Sequence, residues 1–93
     1  MPTGTATLDF GPTPTDEASV TITGQASILA SSHIEAFFMG DTTADNGVDE
    51  HEEAGSLCPL VCGSVVAGTG FTIKAHSLAA LGTGLFNVRW AWI

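Results

Sequence analysis

Apolar and polar residues alternate along much of this chain with a period of two, the spacing of a strand buried on one face. From Thr5 to Phe10, Ala6, Leu8 and Phe10 share one face, and Thr5, Thr7 and Asp9 share the other. Pro12 and Pro14 interrupt the pattern between Gly11 and Glu17, since proline removes a ladder donor and favours a loop. Ser19 to Ile22 resumes the alternation with Val20 and Ile22 inward, and Gly24 marks a break or bulge. The stretch from Ile28 to Met39 is less regular. Its end places Ile34, Ala36 and Phe38 on one face and His33, Glu35, Phe37 and Met39 on the other. Large apolar side chains on both faces predict a strand that is central in a two-layer fold or covered outside by another chain.

Asp41 to Ser56 is the longest polar stretch and is expected to be mostly loop, with one helical turn at most between Val48 and Ala54. Leu57 to Ala67 reads as an apolar strand with a bulge at Gly63, followed by a tight turn at Gly68 to Gly70. Phe71, Ile73 and Ala75 then share a face. After the small-residue loop Ser77 to Gly84, the last run is the clearest. Phe86, Val88, Trp90 and Trp92 lie on one side, with Leu85, Asn87, Arg89, Ala91 and Ile93 on the other. Each large member of that apolar row brings roughly 150 Å² to a core. The prediction is an all-β fold: residues 1–93 form a single antiparallel β-sandwich or jelly-roll-like domain of five to seven strands. No internal repeat or linker divides it.

Composition sharpens this picture. A domain of 93 residues buries only about 65% of its unfolded surface, so it gains from a partner or an identical neighbour. Charged residues are 13% of the chain, about half the usual share. A surface covered by other subunits has that character, and so does one rich in Thr, Ser and Gly. Ten acids oppose only Lys74 and Arg89, for a net charge of -8. Two cations cannot neutralise a phosphate backbone, so nucleic-acid binding is not expected. An anionic membrane surface is disfavoured by the same argument. No apolar run nears the roughly 20 residues of a spanning helix, and the opening Met1 to Gly4 is not a signal peptide, so a soluble, cytosol-made chain is expected.

Candidate chemistry is sparse. Cys58 and Cys62, four apart on one strand, would stand about 13 Å from each other, too far for a disulfide; two reduced thiols are expected. His33, His51 and His76 accompany many serines, but no nucleophile-elbow motif fixes a catalytic set. Asp49, Glu50, His51, Glu52 and Glu53, with Asp45 nearby, raise the question of a divalent cation. The segment lacks the glycine of an EF-hand loop and contains no H-E-x-x-H, so a solvated acidic loop is the expectation. Glycoside hydrolysis needs a cleft with aromatic platforms, whereas Trp90 and Trp92 share a core face with Phe86 and Val88. No phosphate loop exists either, because Gly68-x-Gly70 precedes a strand. No catalytic residue, cofactor or metal is therefore expected, and the domain is expected to work by surface contact.

Five segments stand out together: GTATLDFG at Gly4 to Gly11, SHIEAFFM at Ser32 to Met39, ADNGVDEH at Ala44 to His51, VAGTGFTI at Val66 to Ile73, and FNVRWAW at Phe86 to Trp92. Over nearly the whole chain they resemble short proteins found among the structural genes of tailed bacteriophages. The resemblance implies a non-enzymatic virion protein, made in the host cytoplasm and located in the virion. For a small all-β chain it implies a capsid decoration, or cement, protein bound to the outer face of the shell. Its partners would be the major capsid protein or other virion proteins, with a homo-oligomer, a trimer, as the assembly. The interface expected from these readings comprises Phe37, Met39, Asp49, Glu50, His51 and Arg89. Two other classes stay open: a tail, fibre or neck component for attachment, and a carbohydrate-binding module using exposed aromatics.

Overall fold

The computed structural model describes residues 2–12, 15–77 and 83–93. Its elements are β1 (Thr3–Asp9), β2 (Glu17–Ile22), β3 (Ile34–Phe38), α1 (Val48–Leu57), β4 (Leu60–Val66), β5 (Gly70–His76) and β6 (Leu85–Trp92). Two three-stranded antiparallel sheets, ordered β1-β6-β3 and β2-β5-β4, pack face to face as a small β-sandwich. β1 lies over β2 and β3 over β4, so β5 and β6 run through the middle of the two layers.

The period-two pattern explains why. On β6 the alternate residues Phe86, Val88, Trp90 and Trp92 are buried, and on β5 so are Phe71, Ile73 and Ala75. Leu8 and Phe10 from the first run, Ala18 from β2 and Ile28 from the β2–β3 connection complete this core with Ala54 of α1. Burying each large side chain of this set stabilises the fold by roughly 1.5–3 kcal/mol. Rings tie the layers together. Phe71 of one sheet meets Trp90 of the other edge to face, with centroids 5.4 Å apart. Phe86 takes Phe10 at 5.6 Å and Phe38 at 6.1 Å, also edge to face.

The β4–β5 hairpin closes through Gly68 at φ 75°, with the Thr69 N–H donating to Val66 O at 2.9 Å. The expected bulge lies between Gly63 and Val66, where Ser64 takes the left-handed conformation at φ 52°. At Gly70 the neighbouring strand comes so close that a Cβ would stand 2.8 Å from the Ile22 carbonyl carbon. Only glycine fits there.

Three expectations are corrected. The stretch expected to be loop holds a ten-residue helix, Val48–Leu57. Its start is secured by the Gly47 N–H, which donates to Glu50 Oε1 at 3.0 Å, and by Asp49 and Glu50 in the first turn, where carboxylates suit the helix dipole. It ends at Cys58, whose N–H donates to Ala54 O at 2.8 Å, just before Pro59. Second, Cys58 caps that helix while Cys62 lies on β4, so the pair does not share one strand; both thiols are free. Third, the first of the two alternatives for the strand with apolar side chains on both faces is excluded: among the described residues β3 pairs with β6 alone and stands at the edge of its sheet.

Candidate contact surface

β6 is longer than its partner β3. On one side it pairs with β1 from Leu85 to Ala91, but on the other β3 covers it only from Val88 to Trp92. The exposed polar groups of Leu85 and Asn87 need partners, since buried backbone donors and acceptors are costly when unpaired. Side chains from the acidic stretch provide them. The Leu85 N–H donates to Asp45 Oδ2 at 3.1 Å. Its carbonyl accepts from Thr43 Oγ1 at 2.8 Å and from Asn46 Nδ2 at 2.9 Å. Asn46 Nδ2 also reaches the Thr83 carbonyl at 3.1 Å. Finally, the Asn87 N–H donates to His51 Nε2 at 3.0 Å.

His51 is therefore a structural residue. It is 0% exposed, and its ring lies 5.1 Å from that of Phe86. Because Nε2 accepts a hydrogen bond from a backbone amide, Nδ1 must carry the ring proton, and its N–H donates a hydrogen bond to Gly47 O at 2.9 Å. Both nitrogens of a neutral imidazole are used. His51 is thus removed from the expected interface, since no partner can touch a side chain enclosed in this way. Asp41 works alongside it. Its carboxylate accepts from the Thr42 N–H at 2.8 Å and from Asn87 Nδ2 at 3.1 Å. The Thr42 amide first, then the Asn87 side chain, hold the Asp41 carboxyl below its usual value, against a weak opposing effect of burial. The expected solvated loop is instead a buttress that finishes the β6 ladder.

The outer face beside this buttress carries the other expected contact residues. Phe37 is 48% and Met39 43% exposed, and Arg89, also exposed, stands directly across from Phe37 in the β3–β6 register. Met39 leads into Gly40, which lies against Val48 at the start of α1, and Val48 is itself exposed. Asp49 and Glu50 follow on that first turn, both at the surface. Just before β3, the His33 ring lies at the surface within hydrogen-bond distance of the Glu35 carboxylate, Nε2 to Oε1 at 3.3 Å.

Among the described residues no strand pairs with the outer edge of β3. His33 and Ile93 exchange both backbone hydrogen bonds, so Glu35 and Phe37 also point their amides toward β6. The N–H and C=O groups of Ile34, Ala36 and Phe38 consequently point away from the sheet. Between this edge and β4 runs an open groove of about 450 Å³, lined by His33, Ile34, Glu35, Ala36, Phe37, Leu60 and Cys62. Burial pushes the Cys62 thiol above its usual range, and the Glu35 carboxylate adds to the effect. Nothing in the alternation signalled Leu60 and Cys62 as groove residues, because the meeting of β3 and β4 is a long-range contact. Among the described residues no group of three or more His, Cys, Asp or Glu side chains is arranged to hold a metal ion. Comparison with protein-family models, with curated proteins and with solved structures finds no match.

Proposed function

We propose that this domain is a non-enzymatic structural protein of a tailed-bacteriophage virion. In this reading it is a capsid decoration protein that grips the outer face of the shell as a homo-oligomer, a trimer, through contacts with the major capsid protein. The observation that carries the contact reading is the β3 corner. There the Ile34–Phe38 strand edge, which has no pairing partner among the described residues, is flanked by the exposed apolar side chains of Phe37 and Met39. Natural edges are usually guarded by lysine, proline or a bulge. β3 has none of these, whereas β4 carries its irregularity between Gly63 and Val66. Such an edge suits addition of an extended segment from a partner, with backbone hydrogen bonds giving affinity.

The choice of a capsid as that partner rests on the resemblance of the five sequence segments to phage structural proteins. The carbohydrate-module reading gains less support, since Phe37 is the one exposed aromatic among seven and stacking sites need a platform. Sedimenting the purified domain with phage shells stripped of it tests the proposal. The wild-type protein should pellet with shells, and Phe37→Asp should weaken binding at least about tenfold, the loss expected for a contact worth about 1.4 kcal/mol. Wild-type protein that stays in the supernatant would overturn the proposal.

A further inference from the structure

We propose that His51 is an acid-sensitive latch that holds α1 and the preceding buttress against β6. The proposal concerns the fold itself and does not depend on any partner. Its basis is the proton count at one enclosed ring. Nδ1–H donates to the Gly47 carbonyl, and Nε2 accepts the Asn87 N–H, at 2.9 and 3.0 Å. A second proton can go only on Nε2. There it would face the Asn87 N–H, donor against donor, and the hydrogen bond between helix and strand would be lost. No rotation of the ring restores it, because an imidazolium has two donors and no acceptor. A flipped ring would also place an N–H against that amide.

The charged surroundings do not cancel the effect. From the loop, Asp41 stands near and favours a proton on His51, but its carboxylate is bound to the Thr42 amide and the Asn87 side chain. From β6, Arg89 acts on the same Asp41 carboxylate. From α1, Glu50 is committed to the Gly47 amide, and Glu52 beside it is exposed. β3 meets α1 through Phe38, which packs against Gly55, and brings no charge. Protonation therefore trades a satisfied, enclosed contact for a solvated imidazolium outside, and the helix leaves with it. What opens is specific. His51 withdraws from Phe86 and Gly55 from Phe38, and the Leu85–Asn87 edge of β6 loses its side-chain partners. The rest of the sandwich is joined by β-ladders that contain no histidine in the core.

The test is hydrogen exchange of the α1 amides, corrected for intrinsic rates, together with ¹⁵N spectra that follow the His51 ring. The series runs from about pH 7.5 to about pH 5, and at its upper end the ring should be the Nδ1–H tautomer, as its two hydrogen bonds require. Opening of α1 should increase on acidification, by no more than about tenfold per pH unit, the limit for one linked proton. His51→Gln, whose amide can accept from Asn87 and donate to Gly47 without titrating, should make that opening independent of pH. A His33→Gln/His76→Gln variant should keep the wild-type response, because both residues are exposed. If His51→Gln fails to fold, the wild-type titration alone decides: His51 protonation with α1 protection unchanged overturns the latch. So does an Nε2–H tautomer, or an unaltered pH response in the glutamine variant.

Discussion

Gly4→Ala is a single-methyl test of how the two layers lock. Gly4 pairs with Trp90 across the β1–β6 ladder, and the indole lies over the bare glycine backbone. A Cβ at this position would stand 2.7 Å from Trp90 Cε2 and 3.1 Å from Nε1, with Cζ2 closer still. Carbon atoms in ordinary contact sit about 3.5–4.0 Å apart, so the ring would have to retreat by about 1 Å. It has nowhere to go. Trp90 is 7% exposed, and its edge partner Phe71, 5.4 Å away, is 1% exposed. Overpacking of this kind costs about 1–3 kcal/mol. Relief of glycine's backbone entropy in a strand returns roughly 0.5–1 kcal/mol. These ranges leave about 0–2.5 kcal/mol, and the several short contacts to an enclosed ring put Gly4→Ala in the upper part, a loss of about 1–2 kcal/mol or a fall in Tm of about 4–16 °C for a domain this small. Chemical denaturation of Gly4→Ala, Trp90→Phe and the double variant measures it. In the Trp90→Phe background the smaller ring should reduce the cost of Gly4→Ala to under about 0.5 kcal/mol, giving a coupling of about 1 kcal/mol. A Gly4→Ala protein as stable as the wild type, or an additive double variant, would refute the packing described between these strands.

Three further outcomes follow from the buttress and the groove. Asn46→Ala removes the amide shared by the Thr83 and Leu85 carbonyls and should cost about 1–2 kcal/mol by denaturant melt; a neutral result would mean that the β6 edge does not need it. Because the folded Asp41 carboxyl is held below its ordinary value, its stabilising contribution is present above the unfolded pKa of about 3.9 and is lost as pH falls through the folded one. The stability difference between wild type and Asp41→Asn should accordingly shrink on acidification through that window, and a difference that stays constant would contradict it. Burial raises the Cys62 thiol, so in a Cys58→Ser background its alkylation by iodoacetamide should require a higher pH than that of a free cysteine. Glu35→Gln should lower that requirement, and reaction at the free-cysteine rate near about pH 8 would count against the account.

The strand faces were legible because a sandwich imposes period two on every segment that contributes to its core. Phe86, Val88, Trp90 and Trp92, and likewise Phe71, Ile73 and Ala75, turn inward as their alternation says. α1 was not legible for the converse reason. Only His51 and Ala54 of its described residues are buried, too narrow a stripe to stand out among the acids around them. Their i, i+3 spacing after Asn46-Gly47 was the available signal. The burial of His51 was hidden more deeply, since a polar side chain that completes another strand's ladder leaves no trace in local pattern. The same is true of Asp41, Asp45 and Thr43, whose partners lie some forty residues along the chain. The exposed cluster at Phe37 and Met39 was visible as apolar residues on both faces of one strand. That this strand forms an open sheet edge depends on the order β1-β6-β3, which long-range pairing decides.

The central claim is that this domain acts by surface contact as part of a particle. The most direct test of the proposed role is a copy count by quantitative mass spectrometry in purified particles of a phage whose genome carries this sequence, scaled to the major capsid protein. The decoration reading predicts hundreds of copies per particle, rising and falling with the shell protein. A handful of copies would assign it to the tail or neck instead, and its absence from particles would contradict the virion role altogether.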